Sequence, residues 1–473
     1  MVTMLGDLGH IRVADAPPTD VRPAMAAPSG ATHDGSDASP LMTHATGLRA
    51  FAYAGLLGWV VMMFSNYLFL EGQPIAIDIR VYVRYLMWPA ILLAAALHFA
   101  RPTPSTAGRA MGMVMPYFIV GVIAGAVGVW PIGAARSLIF WLFGVLAAAV
   151  IGAELSQRTM LRFLFWLYAI MIATSIAAAV ALPEIGTMAD GRAILGDAWR
   201  GLFNSKNTVG PICLFGALWA VLAPDLRLIV RLAGVALAIV LVVFSNAQSA
   251  WLSMIALAGY LGVVLGLRRF SMPAGAKALI LIVGIAAGIG AVIAGLQPLL
   301  EALGRDPTLT GRTTIWSTWL DRALDHPVLG TGPGSFTELS ITTIDLTISQ
   351  LYLGRITSPH NMFIAIFGET GAIGLLVFLV TVGRVAFLLP FSSDRREALV
   401  AGSVAFSMFA LGFAETREVF SLGLNMVFLV ATYAGYLSAT AAGRDTEGLP
   451  QPAPAPINLK PELQPANGPR LLG

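Results

Sequence analysis

Residues 134–153 read AARSLIFWLFGVLAAAVIGA, a run with a single charge, Arg136, and no proline. A helix rises 1.5 Å per residue, so roughly 20 mainly apolar residues reach across the hydrocarbon core of a bilayer. The same kind of run recurs on both sides of this one. Spans are expected near 48–70, 81–100, 111–130, 134–153, 161–182 and 208–223, then 228–244, 248–267, 278–297, 361–389, 398–413 and 420–440. Alternating segments of about ten residues, the signature of an outer-membrane barrel, are absent from the sequence. The whole chain agrees with the local reading. Its 473 residues are 57% hydrophobic and 12% charged, with a mean hydropathy of +0.76, which makes a membrane its solvent. The expected fold class is an all-α polytopic membrane protein of about twelve transmembrane helices.

The runs also mark the organisation of the chain. Residues 1–47 are rich in Ala, Pro, Gly, Asp and Thr and lack an apolar segment, so they read as a disordered cytoplasmic tail rather than a signal peptide. Residues 442–473 repeat that character, with a Pro-rich stretch from Leu449 to Pro456. The transmembrane domain is therefore 48–441. An even number of spans puts both tails on one side. With the tails inside, the inner connections hold Arg101 and Arg109, Arg158 and Arg162, Arg227 and Arg231, Arg268, Arg269 and Lys277, and Arg384, Arg395 and Arg396. That is the positive-inside pattern. It leaves residues 183–207 and 298–360 as long outer segments, with a short outer turn at 414–419.

Several classes of function find no support in the sequence. There is no phosphate-binding loop of the Gly-x-x-x-x-Gly-Lys-Ser/Thr type, which disfavours ATP-driven transport, and no His-Glu-x-x-His or paired-cysteine metal set. Cys213 is the one cysteine, lies in an apolar run and reads as structural. The net charge of +3 gives no reason to expect a nucleic-acid partner.

The outer segments carry three constellations. The first, Trp199-Arg200-Gly201-Leu202-Phe203-Asn204-Ser205-Lys206-Asn207-Thr208, brings two cations to the start of a helix. Unpaired N–H groups and the positive end of the dipole suit such a place to a phosphate or pyrophosphate. Capping by Asn207, with Arg200 and Lys206 reaching the interface, accounts for the same residues equally well. The second is Gly311-Arg312 followed by a Trp-bearing helix through Trp316 and Trp319, expected to lie flat on the membrane, and then a turn built on Gly330, Gly332, Pro333 and Gly334. A cation in a helix's first turn opposes the dipole by about 0.3–1 kcal/mol, so Arg312 calls for an anionic partner; a solvated Arg is the plainer alternative. The third is His360-Asn361 at the mouth of a span that carries Glu369-Thr370-Gly371-Ala372-Ile373-Gly374 within it. Histidine suits acid and base work near neutral pH, and a carboxylate two turns into a span needs a polar partner or a wet cavity. Gln248, within the polar junction Ser245-Asn246-Ala247-Gln248-Ser249, and Arg417, in the last outer turn, fall on the same face.

In that order these motifs resemble the O-antigen ligase and O-antigen polymerase superfamily. The shared pattern is Arg-Gly-x-Phe-x-x-Lys-Asn, a Ser-rich junction, Gly-Arg-x-x-x-Trp, a Gly-x-Gly turn, and His-Asn with Glu-x-Gly-x-x-Gly, over about residues 195–420. Phe203-Asn204-Ser205-Lys206-Asn207 is similar to the form found in exopolysaccharide polymerases of the succinoglycan type. One departure stands out: Asn246 to Ala250 lacks the Arg that many relatives carry at this junction. The resemblance implies a GT-C-like membrane fold whose large outer loop holds short amphipathic helices. It implies a metal-independent inverting glycosyltransferase, without cofactor, that polymerises undecaprenyl-pyrophosphate-linked repeat units on the periplasmic side of the bacterial inner membrane. By that resemblance His360, Arg312 and Arg200 are the catalytic residues. Lys206, Asn207, Asn204, Gln248, Trp316, Asn361, Glu369 and Arg417 would bind substrate, and a chain-length regulator protein is an implied partner. A ligase that transfers glycan to lipid A-core would use the same residues. A lipid-linked oligosaccharide flippase or secondary transporter predicts charges in mid-membrane and inverted repeats, neither of which the sequence displays.

Overall fold

The structure is a computed structural model that describes residues 40–65, 67–68, 79–101, 105–189, 196–223, 225–302, 312–336, 358–413, 420 and 423–447. The expected tails lie outside those residues, except that the first helix already begins at Pro40 and the last continues to Glu447. The chain divides into residues 1–47 and residues 48–473, and the helix packing and site described below belong to the second part.

Twelve long helices are seen among the described residues. They are α1 (Pro40–Phe64), α2 (Ile79–Phe99), α3 (Thr106–Val127), α4 (Pro131–Glu154), α5 (Gln157–Ala181), α6 (Lys206–Leu222), α7 (Leu228–Phe244), α8 (Gln248–Leu267) and α9 (Ala274–Ala302), followed by α11 (Met362–Gly383), α12 (Arg396–Gly412) and α13 (Leu424–Glu447). Between α9 and α11 lies the shorter α10 (Arg312–Ala323). A two-residue antiparallel pair, β1 (Thr187–Met188) with β2 (Ala198–Trp199), is the only sheet among the described residues. Among the described residues eight helices are long and apolar enough to cross a membrane, and α2, α6 and α7 contribute shorter apolar stretches. The all-α polytopic membrane fold expected from the runs is what the chain adopts.

Local chemistry sets the ends of these helices. The Ser105 hydroxyl accepts from Gly108 N at 3.0 Å to start α3, Ser156 does the same for α5, and Pro131 opens α4, where its missing N–H is no loss. α4 then lies between α3 and α13. Its Ala147–Ile151 stretch is buried throughout, and Gly152 comes so close to α13 that a Cβ there would sit 2.1 Å from Ala431 O. Small residues at a crossing let two backbones approach, which is how helices associate where lipid removes the hydrophobic drive.

α11 is broken within its span. Gly371 has φ +64 and ψ −168, a conformation essentially restricted to glycine. Such a break frees main-chain groups that lipid cannot satisfy. The segment that follows α10 satisfies them. Thr331 N donates to Gly368 O at 2.9 Å and Gly332 N to Glu369 O at 3.0 Å, while Ala372 N donates to Pro327 O at 2.9 Å and Ile373 N to Val328 O at 3.4 Å. Gly330, at φ +70, leaves no room for a side chain, since a Cβ would lie 2.4 Å from Glu369 C. Residues 327–336 therefore form a wedge set against the break, and its other side reaches the α3–α4 connection, where Val129 N donates to Thr331 O at 2.9 Å. The tight turn expected from Gly330, Gly332, Pro333 and Gly334 is present, and Gly330, Gly332 and Pro333 are buried in it.

Candidate active site

The outer constellations are built on helix ends that touch one another in sequence order. β2 ends on Trp199, whose ring stacks on Phe244 at the end of α7 (4.3 Å, 18°). Near the start of α6, Gly210 meets the α7–α8 junction, a Cβ there falling 2.8 Å from that of Ala250. From the first turns of α8, Ser253 Oγ donates to Ala410 O of α12 at 3.1 Å. Asn361, before α11, donates from Nδ2 to Phe413 O at the end of α12, at 3.5 Å. One rim thus joins the starts of α6, α8 and α11 to the ends of α7 and α12, and it carries Arg200, Asn204, Lys206, Asn207, Gln248 and His360.

Arg200 is held by its own main chain. Its N–H and that of Gly201 both donate to Gly186 O, at 2.9 and 2.8 Å, and its Nε donates to Ile185 O at 3.0 Å. The half-buried guanidinium is oriented from the side of the helical turn Pro183–Gly186. Asn204 is occupied at the helix start, its Oδ1 accepting from Thr208 Oγ1 at 2.7 Å. The residue that caps α6 is Ser205, without a side-chain capping bond, and not Asn207, which is exposed in the first turn next to half-buried Lys206. The capping alternative for Asn207 is thereby corrected, because α6 begins at Lys206. Gln248 opens α8 and is exposed.

His360 occupies the left-handed region at φ +46 and is half-buried. Strain of that kind costs about 1–3 kcal/mol and persists only where the surroundings fix it. Asn361 does the fixing: it is 7% exposed, and its Oδ1 accepts from Phe363 N at 2.9 Å and Ile364 N at 3.1 Å. Asn361 is thus the N-cap of α11, and its carbonyl oxygen fixes the start of the helix directly after His360.

α10 buries one face against the protein. Trp319 is fully buried and meets Phe336 edge to face at 5.3 Å, in a cluster with Ile315, Ala323, Ile364 and Phe367. One face of α10 packs on α11, because four apolar side chains at helical spacing bury more surface against protein than they would at the interface. Trp316 sits half-buried at the edge of that cluster. Arg312 is the first residue of α10, as its spacing from the tryptophans predicts; its side chain and the whole of Arg417 lie outside what is described, as do Thr310 and Gly311.

Glu369 is 4% exposed. Its carboxylate meets the backbone N–H groups of Gly334, in the wedge, and Phe420, between α12 and α13. Oε2 has no hydrogen-bond partner among the described residues, and neither has the hydroxyl of Tyr117 or Nε1 of Trp141. All three groups border Phe420, on which Tyr117 stacks at 4.5 Å. The partner that a buried carboxylate requires is therefore main chain from two connections at the rim, so Glu369 supports the rim from below and lies deeper than His360. The wedge escaped the sequence reading, signalled only by Gly371 inside a span together with Gly330, Gly332 and Gly334; Ser137 Oγ of α4 blocks any side chain at Gly334.

A membrane-length bundle with cations, amides and one strained histidine gathered at the ends of its helices is a polytopic membrane protein with a polar site on one face. Within that class, residues 233–379 match the family described as O-antigen ligase, so the resemblance carried by the motifs holds over that segment. The segment includes Gln248, Arg312, Trp316, His360, Asn361 and Glu369. The chain is also 31% identical, over 233 residues, to the exopolysaccharide production protein ExoQ of Rhizobium meliloti (strain 1021), a stretch covering 46% of this chain and 53% of that protein. This chain spans about half the length of that curated relative.

Proposed function

We propose that the chain is a glycosyltransferase of polysaccharide synthesis, which polymerises undecaprenyl-pyrophosphate-linked repeat units at the rim described above. The rim faces the periplasm of a bacterial inner membrane, and the Arg-rich ends of the helices face the cytoplasm. The observation that carries the reading is the run of contacts from Trp199 through Ala250 and Ala410 to Asn361, which sets Arg200, Lys206 and His360 on one rim.

In the proposed reaction an acceptor hydroxyl attacks the anomeric carbon of the donor sugar from the face opposite its pyrophosphate. The new C–O bond forms as the bond to the pyrophosphate oxygen breaks, and the lipid pyrophosphate leaves with that electron pair. His360 takes the hydroxyl proton. Arg200, Arg312 and Lys206 balance the charge that develops on the leaving group, where donors fixed in place are worth most. Asn204, Asn207, Gln248, Trp316 and Arg417 would contact the glycans, and Asn361 and Glu369 hold the rim in shape.

The test is to incubate the purified full chain in nanodiscs with a lipid-pyrophosphate-linked repeat unit, in the presence of EDTA, and resolve the products by size. A ladder of lengthening lipid-linked glycans is the expected result. The family match favours one second reading, transfer onto lipid A-core; it predicts no ladder but a product once that acceptor is added. Silence under both conditions overturns glycosyl transfer altogether.

A further inference from the structure

The end of the bundle away from the rim contains a cleft that the proposed reaction does not use. It has a volume of about 610 Å³ and lies between the start of α3 and the end of α11. α11 does not stop as an α-helix; it passes into a π turn, Arg384–Leu388, before Leu389–Ser392 resumes α geometry. A π turn inserts an extra residue and redirects the side chains around it, and it is often retained at functional positions. Here Arg384 opens the turn and borders the cleft. Arg109, in the first turn of α3, borders it as well, and both lie within electrostatic reach of Tyr433. Pro116, Leu376 and Val380 form an apolar floor.

Two features mark these arginines. Several others at this end are engaged, Arg101 with Glu154, Arg158 and Arg162 with Asp225, and Arg268 and Arg395 with main-chain carbonyls, and exposed Arg227 and Arg269 lie outside the cleft. Arg109 and Arg384 are exposed, and no ion pair or hydrogen bond of either side chain is seen among the described residues. The lining also holds no Asp or Glu, so the mouth is doubly positive. Leu376 lies two turns above Arg384, roughly 12 Å along the helix, which is close to the depth of one leaflet's hydrocarbon.

We propose that this cleft binds one anionic diacyl phospholipid, of the phosphatidylglycerol class, from the leaflet at the arginine-rich end. The phosphate sits between Arg109 and Arg384, and an acyl chain runs along Pro116, Val380 and Leu376. A zwitterionic headgroup would bring a cation into a mouth without a carboxylate to receive it, and for that reason net negative charge is selected. This inference stands independently of the glycosyltransferase reading.

The test places the full chain in mixed micelles containing equal phosphatidylglycerol and phosphatidylcholine and reads retained lipid by native mass spectrometry. The expected result is preferential retention of one phosphatidylglycerol. That preference falls about thirtyfold in the Arg109→Ala, Arg384→Ala double variant, the effect of losing two surface cations. It survives in the corresponding double Lys variant and in Arg227→Ala with Arg269→Ala, two exposed arginines of the same end outside the cleft. Val380→Trp fills the floor without touching charge and should also reduce retention. An unchanged preference in the double Ala variant overturns the site, as does an equal fall in the Arg227 and Arg269 control or undiminished retention with Val380→Trp. Displacement of phosphatidylglycerol by an equal amount of polyprenyl phosphate overturns the phospholipid assignment.

Discussion

The two ends of the bundle are stabilised in opposite ways. At the arginine-rich end, cations are bound to the protein itself. Arg231 donates to the carbonyls of Ala220 and Val221, Arg396 to that of Leu222, Arg395 to that of Ala439 at 3.0 Å, and Arg268 to those of Pro390 and Ser393 at 2.8 and 3.1 Å. Cations at helix C-termini satisfy carbonyls that have no partner within the helix and complement the dipole. Burial among those carbonyls lowers the Arg268 guanidinium from its ordinary value. At the rim the backbone is strained instead. Leu68, Asn246 and His360, the non-glycine residues with positive φ among those described, all lie there. One end is fixed by pairing its charges, whereas the other places its charges by bending the chain.

If that contrast is right, substitutions at the rim and its supporting wedge reach turnover, and substitutions at the other end change stability alone. The largest effect belongs to Gly371→Ala. Its φ and ψ exclude a side chain, and the added Cβ would lie 2.1 Å from Val328 C and O. The wedge has to leave α11, exposing four main-chain groups. Thermal unfolding in detergent should report a loss of about 3 kcal/mol or more, with no product formed. Gly259→Ala, in α8 with nothing within 4 Å, is the matched control and should be neutral or slightly stabilising. Equal behaviour of the two variants would remove the wedge from the account.

His360→Gly comes next. Glycine accepts φ +46 without strain, so the folded protein should be as stable as the wild type or slightly more so, while turnover falls about a hundredfold or more with the loss of the base. A drop in the amount of membrane-inserted protein, or retained turnover, would show that His360 serves packing and not chemistry. Arg312→Lys keeps the charge but loses the planar fork of donors, and should lower turnover roughly tenfold, less than the hundredfold or more of removing a charge-stabilising donor outright. Unchanged turnover would take Arg312 out of the site.

Asn361→Ala should cost about 1 kcal/mol by unmaking the cap of α11, together with a several-fold loss of turnover through a misplaced His360. Asn361→Asp retains the accepting oxygen and should recover most of both. If Asp restores stability but not turnover, Asn361 contacts substrate in its own right.

The spans were legible because lipid burial is written directly into hydropathy: α7 and α8 begin and end where the apolar runs do. α1 was not, since the run reaches residue 70 while the helix stops at Phe64, and Leu68 turns left-handed to pair its N–H with Leu202 O. Apolar sequence reports burial and cannot distinguish a helix from another buried backbone. The rim residues were legible as polar types next to helix ends, and so was Arg312 as the start of α10. The wedge was hidden for a physical reason. Its pairing with α11 is main chain to main chain, which leaves no side-chain signature except the glycines that make room for it. The role of Asn361 was hidden likewise, because a cap and a substrate ligand require the same amide.

The smallest effect is expected at the far end and serves as the check on the contrast. Glu154 Oε1 lies 2.6 Å from His98 Nδ1 and 2.7 Å from Arg101 Nη1, and His98 Nε2 lies 3.1 Å from Ser105 Oγ, the cap of α3. Glu154→Gln keeps the shape and removes the charge, so α2, α3 and α4 remain joined through weaker hydrogen bonds. Partial exposure of Arg101 screens what is lost, and the expected change is about 1 kcal/mol in unfolding with turnover unaltered. Raised salt should reduce the difference between variant and wild type, since screening weakens the wild-type pair first. A fall in turnover without a fall in stability would mean that the two ends are coupled through α4, the helix that carries Glu154 at one end and Ser137, against the wedge, at the other.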